Sequence, residues 1–404
     1  MSSSGQVLFE ESRCFPAGYG PRSIQFSPDA SQLAVGYKDG SIHIVDGLRG
    51  PIAAWKNYSI RPPADNPEAG ARSLAYLARG KLLVGRDGGS LDMVTFTMTG
   101  DGEDDIRWEK TSLRPPRHRT KGDNPGGLTL VTVLDATTIL ASHRRGGAWL
   151  ANRADVENGQ PQWKQLSNAT DPYAGSGLVC AYALSDVPGR YLAVSERGPV
   201  YLLDPDTARI FMFAHRPDIG VVADYALIKP QWDNAAWKDE AAPDVRSGLG
   251  IYVAADTGLY LVWFKTPADA MGEEPVVNWS RVALPGISGR IRAVSYFADA
   301  GDPQGDDDAA ALDQGRHFLW VADSAGDAYM FSTPGKTHRN VMETGALKDN
   351  TYFWQPCGVR HQGTQVMRAF LSPDRPRQAD GRLLVGQASR NSPIVVSLYG
   401  PYPK

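Results

Sequence analysis

The hydrophobic positions of the chain fall into short clusters separated by polar turns. A recurring unit consists of an apolar strand, a turn rich in Gly, Asp and Arg, and a second apolar strand. Seven such hairpins occur, at 33–46, 82–96, 139–151, 191–204, 251–264, 318–331 and 383–398. Their mean spacing of about 58 residues is typical of a repeat architecture in which each unit is one small sheet.

Further short strands flank the hairpins. Each hairpin is preceded by an apolar strand, and most are followed by a fourth strand, often with a tryptophan, as at 52–56 and 106–110. The last hairpin has no fourth strand of its own, whereas a strand at 5–12 is left over at the N-terminus. Pairing these two would close a ring and remove an exposed sheet edge.

The pattern predicts an all-β fold, a seven-bladed β-propeller with four-stranded blades in a single domain. The N-terminal strand joins the last blade and closes the ring. A pair of β-sandwich domains is the alternative, but it explains neither the sevenfold count nor the spare strand. The predicted blades are 22–57, 72–111, 127–166, 178–214, 222–283, 291–344, and 366–400 with 5–12.

One repeat carries a family motif. Phe26-Ser-Pro-Asp is followed by Leu33-Ala-Val-Gly and then by Asp39-Gly-Ser-Ile, and this segment resembles a blade of the WD40-repeat family. Phe370-Leu-Ser-Pro-Asp and Arg86-Asp-Gly-Gly-Ser-Leu echo parts of it. The Trp-Asp pair is missing from the ends of the hairpins, so the chain resembles a divergent member. The resemblance implies a propeller, a fold that often serves as an interaction scaffold.

Composition narrows the class of protein. The 404 residues include 42% hydrophobic and 22% charged residues with a net charge of −3, which excludes a disordered chain and any overall basic excess. Three cysteines without C-x-x-C spacing, no secretory leader pattern and no long apolar run predict a soluble, cytoplasmic protein. Abundant Ala, Gly, Arg and Asp are typical of a GC-rich, bacterial genome.

The sequence offers no complete catalytic or metal-binding motif. Neither G-x-S-x-G nor H-E-x-x-H occurs. Gly335-Lys336-Thr337 lacks the first glycine of a phosphate loop, and the acidic run at 302–308 lacks the glutamate that completes an EF-hand loop. We therefore predict no enzymatic activity, no cofactor and no metal. A hydrolase or lactonase-like site scattered around a central channel stays open as an alternative.

Charge and aromatic residues indicate where a partner binds. By the resemblance, turns between second and third strands share a top face with the connections between blades. The sequence places on this face a basic and aromatic set: Arg86, Arg114, Arg117, Arg119, Lys121, Arg144, Arg145, Tyr352, Phe353 and Trp354. Acidic residues at 101–105 and 299–313 fall on the opposite face, so we expect a molecule with two oppositely charged faces. Packing of residues 352–354 between blades, and a solvated loop at 114–121, are the alternatives.

These features predict a non-enzymatic scaffold, or an accessory subunit of a multi-protein assembly. Its basic, aromatic top face would bind a protein partner with an acidic surface. Nucleic-acid binding through the same face is the alternative, because arginines and aromatics also suit a single strand. An insertion at 230–248 with Trp232 and Trp237 is a secondary surface or a lid on its own blade. The sequence predicts no contact with a membrane.

Overall fold

The computed structural model describes most of the strands and many of the turns between them. The described residues are 9–16, 18, 20–62, 70–113, 127–144, 146–166, 177–183, 191–214, 217–228, 249–265, 276–287, 290–299, 316–325, 327–334, 337, 354–361, 364–371, 383–389 and 392–400. Chain contacts divide the protein into two compact units. The first unit is Glu11–Pro217 with Val385–Ser397, and the second is Asp218–Leu384 with the two chain ends.

In the first unit, four consecutive sets of four strands each form an antiparallel sheet in sequential order. Sheet 1 contains β2 (Pro21–Phe26), β3 (Gln32–Tyr37), β4 (Ile42–Asp46) and β5 (Lys56–Ile60). Sheet 2 contains β6 (Ala71–Ala78), β7 (Lys81–Arg86), β8 (Leu91–Met98) and β9 (Ile106–Ser112). Sheet 3 contains β10 (Leu128–Val133), β11 (Thr138–His143), β12 (Ala148–Asn152) and β13 (Lys164–Leu166), with the short helix α1 (Arg153–Glu157) before β13. Sheet 4 contains β14 (Leu178–Ala183), β15 (Tyr191–Ser195), β16 (Val200–Asp204) and β17 (Arg209–Ala214).

Two further sheets of the same kind lie in the second unit. Sheet 5 contains β18 (Val222–Ile228), β19 (Leu249–Ala255), β20 (Gly258–Lys265) and β21 (Val276–Val282). Sheet 6 contains β22 (Ile291–Asp299), β23 (Arg316–Asp323), β24 (Ala328–Pro334) and β25 (Gln355–His361). The remaining strands are β1 (Phe9–Phe15), β26 (Thr364–Leu371), β27 (Leu383–Ser389) and β28 (Ser392–Gly400), in the sheet order β1-β28-β27-β26. Short 3-10 turns occur at Ile52–Ala54 and Pro217–Ile219.

Continuous apolar runs form the inner strands because both faces of a sheet are covered. Leu33, Ala34 and Val35 of β3 are all fully buried. Between sheets 1 and 2, Ile44 packs in one core with Val84. Similar cores join sheet 3 to sheet 4 and, in the second unit, sheet 5 to sheet 6. A strand packed on both sides loses the alternation of a half-exposed strand, which explains the continuous runs in the sequence.

Tight turns set the register of the hairpins. In sheet 1, Gly36 pairs with Ile42, and the intervening turn places Gly40 at φ +86°. That left-handed conformation costs glycine little and strains other residues. The Gly40 N–H donates to the Tyr37 carbonyl at 3.1 Å, which closes the turn.

The prediction of an all-β fold with four-stranded antiparallel sheets is confirmed. Two fourth strands were predicted in the wrong place. In sheet 1, the predicted strand at 52–56 is mostly the 3-10 turn Ile52–Ala54, and the fourth strand is Lys56–Ile60. Sheet 6 takes Gln355–His361 as its fourth strand, beyond the predicted end of this blade at residue 344. Within the described residues, no helix has the length and apolar character needed to cross a membrane.

Candidate interaction surface

Equivalent turns of the first four sheets are fixed by the same backbone hydrogen bond. In each sheet, the first residue after the second strand donates its N–H to the carbonyl of the glycine directly before the first strand. The bonds are Lys38 to Gly20 at 3.0 Å, Asp87 to Gly70 at 2.8 Å, Arg144 to Gly127 at 2.9 Å and Glu196 to Gly177 at 2.9 Å. We call Lys38, Asp87, Arg144 and Glu196 the turn row.

The leading glycines also bring neighbouring turns together. The Gly177 N–H donates to the Arg144 carbonyl of the preceding sheet at 2.8 Å. A Cβ on Gly127 would lie 2.9 Å from the Asp87 Cα, and a Cβ on Gly70 would lie 3.0 Å from the Lys38 carbonyl oxygen. Gly70, Gly127 and Gly177 therefore each pack against the turn of the sheet before them. The sequence carries a signal for this contact, a glycine directly before each of these first strands.

The turn row presents charges of alternating sign. Lys38 and Arg144 are exposed, whereas Asp87 and Glu196 are half-buried. The Arg144 Nη2 lies 3.4 Å from the Glu196 Oε1, and the two side chains are 55% and 19% exposed. Arg197, beside Glu196, is exposed as well. Arg144, predicted as a partner-binding residue, therefore lies on the surface and is paired with the neighbouring turn.

Asp87 is shared between two arginines of the first strands. The Arg72 Nη1 donates to the Asp87 Oδ1 at 3.2 Å, and the Arg22 Nε lies 3.8 Å from the Asp87 Oδ2. Arg22 comes from sheet 1, whereas Arg72 and Asp87 belong to sheet 2. We call these three residues the Asp87 cluster.

Arg86 does not lie on the surface, in contrast to the sequence-based expectation. It is only 3% exposed, because it is the last residue of β7 and its side chain turns inward. The Arg86 Nε donates to the Asp92 Oδ2 at 3.0 Å, and its Nη1 donates to the Gly40 carbonyl of sheet 1 at 2.9 Å. This buried ion pair ties two sheets together and is unavailable to a partner.

In the two neighbouring sheets, pairs of aromatic or imidazole rings occupy the positions equivalent to Arg86 and Asp92. Tyr37 and His43 contact edge to face with ring centroids 5.0 Å apart, and His143 and Trp149 do so at 5.1 Å. Burial lowers the pKa of His43, because desolvation disfavours the imidazolium. These residues form an internal layer close to the turn row.

Trp354 is also buried rather than exposed. Its side chain has no exposed surface, and it packs in the core between sheets 5 and 6 with its ring centroid 6.0 Å from that of Tyr252. Trp354 therefore contributes packing to sheet 6, and the alternative of packing between blades is correct for this residue. Tyr352 and Phe353 lie outside the described residues.

Several residues predicted to bind a partner lie outside the described residues. They are Arg114, Arg117, Arg119, Lys121, Arg145, Trp232 and Trp237. Their assignment to a basic face or to a secondary surface stays a prediction.

The acidic segment at 101–105 lies against a basic strand of the neighbouring sheet. Arg61 follows β5, and its Nη2 lies 2.7 Å from the Glu103 Oε1. The Lys56 Nζ of β5 lies 3.5 Å from the Asp101 Oδ2, and the Ser59 N–H donates to the Glu103 carbonyl at 2.9 Å. The acidic loop is therefore paired with Lys56 and Arg61 of the neighbouring sheet.

No described cluster of three or more His, Cys, Asp or Glu side chains could hold a metal ion. The polar side chains of the inner strands instead bridge neighbouring sheets. The Ser73 Oγ accepts a hydrogen bond from the Val131 N–H at 2.7 Å. At the equivalent position of sheet 5, the Asp224 Oδ2 accepts one from the Val294 N–H at 3.0 Å. Both acceptors are thereby used in holding the sheets together.

Two solved structures share this architecture. The chain is similar to the WD40 repeats of RRP9, with a TM-score of 0.56, 12% identity, and coverage of 96% of this chain and 97% of that one. It is similar to U3-55K with a TM-score of 0.54, 11% identity, and coverage of 96% and 98%. No protein-family model and no curated protein match the sequence. The likeness shows the fold: the chain is a WD40-like β-propeller, and its four-stranded sheets are blades.

Proposed function

We propose that the protein is a non-enzymatic interaction scaffold, a subunit of a multi-protein assembly. It binds a protein partner through the face that carries the turn row. The observation that supports this most directly is the repeated backbone bond beneath Lys38, Asp87, Arg144 and Glu196. It holds charged side chains on rigid turns, and a rigid surface loses little conformational entropy when a partner binds.

The partner's contact surface is proposed to be acidic. Lys38, Arg144 and Arg197 are exposed on this face. Arg114, Arg117, Arg119, Lys121 and Arg145 extend it in the sequence-based topology, as do Tyr352 and Phe353. Arg86 and Trp354 are left out because both are buried. Charge complementarity of this kind speeds association and selects partners more than it adds affinity.

We further propose seven blades, with β1 completing the last one. The strand order β1-β28-β27-β26 supports this arrangement. Within the first unit, a Cβ on Gly386 of β27 would lie 2.6 Å from the Leu33 Cδ2 and 3.2 Å from the Ile24 Cδ1. The last blade would thus pack on blade 1 as blade 1 packs on blade 2.

Affinity purification from the native source tests the scaffold proposal. We expect Arg144→Glu to reduce recovery of the partner, because it places a negative charge on the binding face. Arg107→Glu is the matched control, since Arg107 is exposed on the outer strand β9. The double variant Arg144→Glu/Glu196→Arg retains an opposite-charge pair across the 3.4 Å contact while moving the positive charge to the next blade.

The outcomes separate recognition from stability. Loss of the partner in both Arg144→Glu and the double variant, with full recovery in Arg107→Glu, supports the proposed face. Recovery in the double variant would mean that the single variant acted through folding. Unchanged recovery in all variants would refute the assignment. A partner released by nuclease, with affinity falling steeply as salt rises, would identify nucleic-acid binding instead.

A further inference from the structure

The Asp87 cluster has one more positively charged side chain beside its carboxylate than the equivalent turns have beside theirs. At Glu196 and at Asp256, one carboxylate lies beside one guanidinium, from Arg144 and Arg290 respectively, each at 3.4 Å. Asp87 occupies the equivalent turn position but lies beside two guanidinium groups. The ion pair at each of the first two positions is neutral, whereas the Asp87 cluster has one net positive charge.

The cluster is built into the blades rather than scattered on the surface. The Arg72 side chain is 24% exposed, the Asp87 side chain 29% and the Arg22 side chain 39%. A Cβ on Gly70 would lie 2.5 Å from the Asp87 Oδ2, and one on Gly127 would lie 2.9 Å from the Arg72 Cδ. The absence of side chains at these two glycines makes room for the carboxylate and for the arginine that holds it.

Among the described residues, both guanidinium groups have N–H donors that no protein acceptor uses. Arg72 uses its Nη1 for Asp87, and Arg22 approaches Asp87 through its Nε. Each guanidinium carries five N–H donors in a planar fork that suits a carboxylate. Among the described residues, neither arginine lies beside a second carboxylate. On the preceding turn, the Asp39 Oδ1 accepts hydrogen bonds from the N–H and the hydroxyl of Ser41, at 3.0 and 2.6 Å.

We propose that the Asp87 cluster binds a carboxylate side chain from an acidic segment of the partner protein, with Arg22 and Arg72 as its donors. This proposal rests on the proposed function, since it names the chemistry that the scaffold recognises. A protein segment fits better than a nucleic acid, because Asp87 and Glu196 alternate with Lys38 and Arg144 along the turn row. Regularly spaced phosphates would meet these carboxylates, whereas an acidic peptide can place single charges between them.

A fluorescent hexaglutamate peptide tests the site on the full chain by anisotropy at physiological salt. We expect saturable binding to the wild type and about tenfold weaker binding to Arg22→Gln/Arg72→Gln, the size of one lost hydrogen bond to a charged group. Arg107→Gln/Lys110→Gln removes the same charge from exposed positions of β9 and should retain binding. Thermal melting of each variant verifies that it is folded.

Three results would overturn the proposal. They are an equal loss of affinity in the β9 control, no saturable binding to the wild type, and tighter binding of a single-stranded dodecanucleotide than of the peptide. The proposed function fails separately. If the peptide result is negative but Arg144→Glu still loses the native partner, only the carboxylate site is refuted. If the peptide binds as expected but no protein partner is recovered, only the scaffold assignment is refuted.

Discussion

Gly177→Ala tests whether the leading glycines join the blades. A Cβ at this position would lie 2.5 Å from the His143 carbonyl oxygen, 2.6 Å from the Thr129 Oγ1 and 2.8 Å from the Arg144 Cα. Two of these three atoms belong to the backbone of the preceding blade, so rotation of a side chain cannot relieve the contact. Blades 3 and 4 must move apart locally.

The cost follows from the overlap and from the bonds that it disturbs. Overpacking of this kind costs about 1–3 kcal/mol. Two hydrogen bonds run through the same residue, Gly177 N–H to Arg144 at 2.8 Å and Glu196 N–H to Gly177 at 2.9 Å. Weakening them adds about 1 kcal/mol. We expect the free energy of unfolding of the first unit to fall by about 2–4 kcal/mol, and its melting temperature to fall by roughly 10 °C.

Calorimetry and amide hydrogen exchange provide the measurement. The amide of Glu196 should exchange faster in Gly177→Ala, because its acceptor is displaced. Gly50→Ala is the matched control, since a Cβ there would lie 3.3 Å from the Gly47 carbonyl oxygen and 3.9 Å from the Ala54 Cβ. Its effect should stay within about 0.5 kcal/mol. A Gly177→Ala protein with the wild-type melting temperature and Glu196 exchange rate would refute the reasoning.

Two further predictions concern the proposed ring closure and pH. Deleting residues 1–15 removes β1, so we expect a lower melting temperature and concentration-dependent association through the exposed edge of β28. Deleting residues 1–8 leaves β1 intact and is the control. Equal melting temperatures in calorimetry and equal association in light scattering would contradict closure. Burial lowers the pKa of His317 to about 4, from 6.5 in the unfolded chain. The unfolded state alone binds the proton between these values, so stability should fall as pH decreases from 6.5 to 4. Between pH 7 and pH 5, the urea midpoint of unfolding should fall less in His317→Gln than in the wild type. An equal fall in the two proteins would contradict this.

The sequence predicted the inner strands well because their hydrophobic signal is strong. Residues of β3 such as Leu33 and Val35 are buried on both faces and therefore form an unbroken apolar run. The outer strands lack this signal. Most of β9 is exposed, and Gln355 and Pro356 at the start of β25 are exposed as well. An exposed strand carries little hydrophobic periodicity, so the predicted blade 291–344 ends before the fourth strand of blade 6.

Side-chain direction explains the errors in the candidate surface. Arg86 stands at the boundary between β7 and a turn, where its type suggests exposure, but Asp92 on the facing strand draws it inward. Trp354 immediately precedes an edge strand and fills the core beside Tyr252. The pairing of Arg61 with Glu103 depends on contact between neighbouring blades, which the residues of a single loop do not show.

The bonds beneath the turn row use only backbone atoms, so they place no demand on the side chain above them. Lysine, aspartate, arginine and glutamate already occupy the same backbone position in four successive blades. The blade framework and the proposed recognition surface thus depend on separate atoms. Such a separation lets a lineage exchange one partner for another by single substitutions, without first gaining stability to tolerate them.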